Sequence, residues 1–237
     1  MAVALATLAG CASPSSPAQP TATVLSVHGK VTYATSGASG RLHYNRQLRA
    51  GTIIETGKNS RADIEVNGFA SHIILEANSL LELTTMNHRG DERDGYRDTE
   101  LRLERGSLIC DVRRLWNESR YEVHAPNGFA SVTERGGTFK ITVQSDSKTL
   151  RPRVKYRAVR GQLFVSALLD SGTVTNVLDR GDEWTPGEGT VTNKPLGPED
   201  EPALDLGVIF DYVPSPPPPP PILQPLTATA HPFRPSA

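Results

Sequence analysis

RADIEVNGFASHIIL at positions 61–75 and YEVHAPNGFASVTE at 121–134 share the letters Asn-Gly-Phe-Ala-Ser, sixty positions apart. In each, Asn-Gly sits between runs that alternate apolar and polar residues. Both residues tolerate positive φ, which a type I′ hairpin turn needs at its two central positions. The expectation is two antiparallel strand pairs turned at Asn67-Gly68 and Asn127-Gly128, with Phe and Ala in equivalent places after the corner.

The same pattern spreads outward. ADIEV, YEVHA, FKITV and RVKYRA all repeat with a period of two, the signature of strands with one buried face. Gly, Asn, Asp and Ser clusters separate these runs every 8 to 15 residues, and only three prolines lie between positions 23 and 192. A second echo joins the first. VHGKVTY (27–33) followed by LRAGT (48–52) parallels VRGQLFV (159–165) followed by LDRGD (178–182), and LERGSLICDV (103–112) is a third strand of this kind. Each glycine ahead of an alternating run is expected to mark a bulge or strand start where another backbone passes close. These features predict an all-β domain, an antiparallel β-sandwich or short β-roll built from repeated hairpin layers.

Composition divides the 237 residues into four segments. Residues 1–10 form a short apolar, signal-like run, 11–22 a Ser/Pro/Ala tether, 23–192 the β domain, and 193–237 a Pro-rich tail. From Pro195 onward 13 of 43 residues are proline, including the run Pro216–Pro221, which favours extended polyproline II and a largely disordered tail. Within it, Leu204–Val213 (LDLGVIFDYV) is apolar enough to be expected to dock on the domain as an added edge strand. No apolar run is long enough for a transmembrane helix. The balance of 25 basic and 26 acidic residues argues against nucleic acid as a partner.

Leu8-Ala9-Gly10-Cys11 resembles a lipobox, although the preceding apolar run is short and no Lys or Arg comes before it. The resemblance implies lipidation of Cys11, a membrane anchor and a periplasm-facing position in the cell envelope. Ala12 in place of Asp points to the outer membrane. Cys110 is then the lone thiol, expected to be buried and inert within SLICDV.

One ordered pattern is similar to the FecR-type periplasmic domain. It runs through Gly29, Val31, Leu48, Gly51, Thr52, Ile54, Thr56, Gly57, Ser60, Ala62, Ile64 and Val66, then Ser79–Leu83 and Leu103–Leu108. APNGFASVTERGGTFKITV follows, and VRGQLFV with VLDRGDEW closes a span from Val24 to Trp184. The family's Arg-Gly-Thr turn maps onto Arg135, Gly137 and Thr138, with two extra residues between Ala130 and Phe139. The resemblance implies a non-catalytic sensing or binding module. The family's founding regulator signals to a sigma factor through a cytoplasmic segment, a membrane span and a C-terminal extension. None is expected here, so a direct anti-sigma role is not expected.

The sequence offers no catalytic motif, no metal-ligand spacing among the scattered histidines and no cofactor motif, so no catalytic residue, metal or cofactor is expected. RGDERDGYRD at 89–98 interleaves arginines with its carboxylates and reads as a solvated loop rather than a calcium loop. One feature stands out. In LRPRVKYRAVR, Arg151, Arg153, Lys155 and Arg157 occupy alternate positions and so share one strand face, which Lys140 joins if FKITV pairs alongside. The plain interpretation is a charge-protected edge. The sharper one is a site that meets an anion, such as a carboxylate-rich chelate, a polysaccharide or lipid phosphates, or an envelope protein. The alternative to a binding module is a structural envelope spacer whose tail contacts peptidoglycan or another envelope protein.

Overall fold

The computed structural model describes residues 22–67, 71–89, 95–116, 118–145 and 151–200. Among them are fifteen strands, one 3₁₀ turn at Pro198–Asp200 and no α-helix. The first eight strands are β1 (Ala22–His28), β2 (Val31–Ala34), β3 (Ser39–Arg41), β4 (Gln47–Leu48), β5 (Thr52–Thr56), β6 (Arg61–Val66), β7 (Ser71–Leu75) and β8 (Leu80–Arg89). The rest are β9 (Tyr96–Val112), β10 (Arg120–Ala125), β11 (Gly128–Ser145), β12 (Pro152–Leu169), β13 (Gly172–Leu178), β14 (Asp182–Trp184) and β15 (Thr192–Asn193).

Hydrogen bonds join all fifteen strands into one open mixed sheet. The all-β expectation holds, with one addition: β10 runs parallel to β9, from Arg120↔Asp98 to His124↔Arg102. Three long strands organise the rest by changing partners part-way. The first half of β9 lies between β8 and β10, and its second half between β7 and β11. Similarly β11 exchanges β10 for β9 while keeping β12, and β12 exchanges β14 for β13 while keeping β11.

The sheet therefore has two arms. One runs β3-β2-β5-β8-β9-β10-β11-β12-β13, the other β4-β1-β6-β7-β9-β11-β12-β14-β15. Their inner faces share one core, to which the first arm sends Ile54, Leu81, Leu101 and Val165 and the second Ile64, Ile73, Phe139 and Tyr156. Burying each such side chain contributes roughly 1.5–3 kcal/mol, so doubling the sheet over is strongly favoured. The layers predicted from sequence are thus made from one folded-over sheet.

Glycines make the corners. Gly29 (φ 75°) separates β1 from β2, Gly106 (φ 86°) divides β9, and Gly161 (φ 74°) divides β12. These are the glycines of the second sequence echo. Gly29 and Gly106 use the same device: each packs against a turn ending in Asn-Ser. Asn59 and Asn78 have φ of 55° and 58°, and Ser60 Oγ and Ser79 Oγ accept the amides of Lys30 and Ser107, each at 2.9 Å. A Cβ on Gly29 would lie 2.5 Å from Ser60 Oγ, and one on Gly106 would lie 2.1 Å from Ser79 Oγ.

The Asn-Gly corners need a correction. The first does join neighbouring antiparallel strands, but Val66 pairs with Ser71, so four residues separate the pair and a two-residue type I′ turn at Asn67-Gly68 does not fit; Gly68, Phe69 and Ala70 lie outside the described residues. At the second, Ala125 pairs with Gly128, so the central residues are Pro126 and Asn127. Proline presets the first φ and Asn127 takes φ 67°, which fits a type II rather than a type I′ turn. Gly128 is already in the strand. The proposed edge strand Leu204–Val213, Cys11 and its tether, and Gly90–Asp94 of the acidic loop also lie outside the described residues.

Candidate ligand-binding site

Period-two alternation places Arg153, Lys155 and Arg157 on the outer face of the second arm. Across β11 they meet Gln144, Thr142 and Lys140, confirming the pairing expected for Lys140. β9 adds Ser107 opposite Thr142, and β14 adds Glu183 opposite Arg157. Beyond β15 the segment 194–200 crosses this face. Leu196 packs on Ile74, Ile109 and Val159, a small apolar cluster apart from the main core. Under this strap lies a cavity of about 300 Å³.

Five cationic side chains reach the cavity: Lys140, Arg153, Lys155, Arg157 and Lys194. Two carboxylates, Glu183 and Asp200, share it, and Ser107, Thr142 and Gln144 supply neutral donors. Four of the five cations expected from sequence are therefore brought together. Arg151 is not among them; it stands 78 % exposed, 3.8 Å from Asp170.

The four differ in how they are held. Arg157 is buried and donates from Nε and Nη2 to Asp200 Oδ1 and Oδ2, at 2.7 and 2.6 Å. Its Nη2 also donates to the carbonyls of Lys194 and Pro195 at 3.3 and 3.2 Å. Arg157 is thus the fastening of the strap. Burial pushes the Asp200 carboxyl up, but the Arg157 hydrogen bonds, the Gly197 amide and the Arg157 and Lys194 charges outweigh it. The carboxyl is held below its usual value. The other three are paired with graded exposure: Arg153 with Glu188 about half exposed, Lys155 with the more covered Glu183 at 3.1 Å, and Lys140 with Glu76 at 2.8 Å, the most covered of the three. Such pairs contribute about 0–1 kcal/mol each and exchange readily for another anion.

The Arg-Gly-Thr turn residues lie elsewhere on this face. β11 bulges between Val132 and Gly137, and the bulge absorbs the extra residues noted in the sequence. Arg135 is exposed on it. Thr138 is buried and donates to Asp111, which also accepts from Arg160 Nη2 at 2.8 Å. That cluster braces the corner of β9, β11 and β12. Cys110 faces the core with its thiol pKa raised by burial, as expected of an inert cysteine.

Sequence alone does not point to Asp200, Lys194 or Glu183. Thr142 and Gln144 were findable, because they continue the alternation of Lys140 along the same face. Asp200 follows Arg157 by 43 residues, past the last strand, and carries no periodic signal.

The family described as FecR protein matches residues 52–177. No curated protein matches the chain. A solved structure of a proposed anti-sigma factor from Parabacteroides distasonis ATCC 8503 is 15 % identical, with a TM-score of 0.43. The match covers 60 % of this chain and 59 % of that one.

Proposed function

Because the chain belongs to the FecR protein family, we propose that it is a non-catalytic binding module of the cell envelope. It is held at a membrane by a lipid on Cys11 and takes up a small multivalent carboxylate at the cavity under the strap. The observation that carries this is the convergence of five cations and three neutral donors on one cavity, with Arg153 and Lys155 held there by pairs that are partly open to solvent. At about 300 Å³ the cavity is at the small end of ligand sites. A polycarboxylate would replace Glu188 on Arg153 and Glu183 on Lys155, exchanging weak pairs for several contacts to one ligand. Arg157 stays with Asp200 as part of the wall.

Calorimetric titration with citrate, and with inorganic phosphate as a second probe, tests this. Citrate is expected to bind, more weakly as salt is raised, because half-exposed charges are screened. Arg153→Glu with Lys155→Glu should weaken binding by about a hundredfold, the effect of reversing two contacts worth over 1 kcal/mol each. Citrate binding unchanged by that double substitution would remove the site.

Anchoring is tested separately. Each buried methylene contributes about 0.8 kcal/mol, so two or three acyl chains hold a domain on a membrane effectively permanently. Cys11→Ser should move the protein from the membrane to the soluble fraction. Equal partitioning of both forms would end the lipoprotein reading. Deleting the chain after Pro214 should leave citrate binding intact, whereas a spacer would lose its role with the tail.

A further inference from the structure

The hairpin of β12 and β13 ends the first arm, and its outer strand lacks the protection that sheet margins usually carry. Among the described residues β13 pairs with β12 alone, through seven consecutive pairs from Leu163↔Leu178 to Leu169↔Gly172 with no register shift. Natural edge strands are blunted by lysines, prolines, bulges or shortness. β4 and β15 have two residues each and β3 has three, so those margins are short. β13 reads GTVTNVL, seven residues without charge, proline or bulge. On the outer face of the same hairpin, Phe164, Leu168 and Val177 are 36 %, 65 % and 46 % exposed.

Backbone parity shows which groups are open. The Leu168 amide donates to Asn127 O at 2.7 Å, on the side away from β13. Leu168↔Thr173 is therefore a non-hydrogen-bonded pair, and by alternation so are Ser166↔Thr175 and Phe164↔Val177. The N–H and C=O groups of Thr173, Thr175 and Val177 thus point to the open margin. An antiparallel copy of β13 centred on Thr175 presents the same groups in return. It sets Thr175 against Thr175 and Thr173 against Val177, all at positions that exchange hydrogen bonds. The outer face matches too, because the Phe164–Val177 row continues into the second copy's Thr173 and Leu168 and covers exposed apolar surface.

We infer that this margin is a self-association surface: two copies of the chain join β13 to β13, antiparallel, about a two-fold axis through Thr175. The pairing is isologous and closes at the dimer. With a net charge of −1 per chain, no strong repulsion opposes it.

Sedimentation velocity on the full chain carrying Cys11→Ser, which removes the lipid site, tests the proposal. The chain is expected to be dimeric at micromolar concentration. Thr175→Lys and Thr175→Glu each set like charges directly opposite one another and should weaken the dimer at least tenfold. An equimolar mixture of the two should restore it, a rescue that misfolding of either variant would not give. Thr175→Val, which keeps the backbone groups and adds no charge, should leave the dimer intact. A chain that stays monomeric at hundred-micromolar concentration overturns the proposal. Charge variants that dimerise as well as the parent do so too, as does a mixture that remains monomeric.

Discussion

Gly106→Ala is expected to lower the unfolding free energy by about 3 kcal/mol, the combined cost of left-handed backbone for alanine and of overpacking. The crowding is with backbone as well as side chain: the added Cβ would lie 2.1 Å from Ser79 Oγ and 2.4 Å from Ser79 Cα. Rotating Ser79 does not relieve it, and moving Ser79 breaks its bonds to the Ser107 amide and carbonyl at 2.9 and 3.2 Å. For a domain of this size the melting temperature should fall by roughly 6–12 °C. Gly51→Ala is the control, because Gly51 has φ 79° but nothing within 4 Å of an added Cβ. It should lose only the backbone part, roughly 1–2 kcal/mol. Urea melts showing equal losses at both sites would refute the close approach as the reason for Gly106.

Arg157→Ala should release the strap. Removing one member of a buried, doubly hydrogen-bonded ion pair costs about 3–5 kcal/mol when the other stays buried. Here Asp200 lies on a terminal segment that can peel into water, so the cost is capped at the docking free energy of that segment. Amide exchange should accelerate by about a hundredfold at Gly197 and Asp200, which corresponds to nearly 3 kcal/mol of local opening, while the sheet amides change far less. Slow exchange retained in the strap would show that Leu196 alone holds it. The same pair sets a pH dependence. The folded Asp200 carboxyl is held below its ordinary value, so the unfolded or undocked chain binds a proton more readily. Its stabilisation is complete above the ordinary carboxylate range and is lost as pH falls through the lower, folded value. Protection of the strap amides, taken relative to their intrinsic exchange rate at each pH, should therefore fall in acid in the parent but not in Asp200→Asn.

Much of this architecture was legible because it rests on period two. Alternation in ADIEV, YEVHA and FKITV reports burial directly, as Ala62, Ile64 and Val66 on β6 illustrate. It also places Lys140, Arg153, Lys155 and Arg157 on one face, since only β11–β12 pairing was needed to bring them together. The turn at Pro126-Asn127 was misread because Asn-Gly chemistry permits two placements of the corner. Strand register, with Ala125 opposite Gly128, chose between them.

By itself the sequence determined what depends on neighbours along the chain: strands, their inward faces, the glycine corners and the cationic stripe. Only the tertiary structure decided that β9, β11 and β12 pass from one arm of the sheet to the other. It also decided that Asp200 returns to Arg157 and that β13, among the described residues, is paired on one side only. The physical reason is range. Alternation and φ preferences act over a few residues, whereas strand order and the closing of an ion pair across 43 residues depend on which surfaces remain to be buried once the sheet has doubled over.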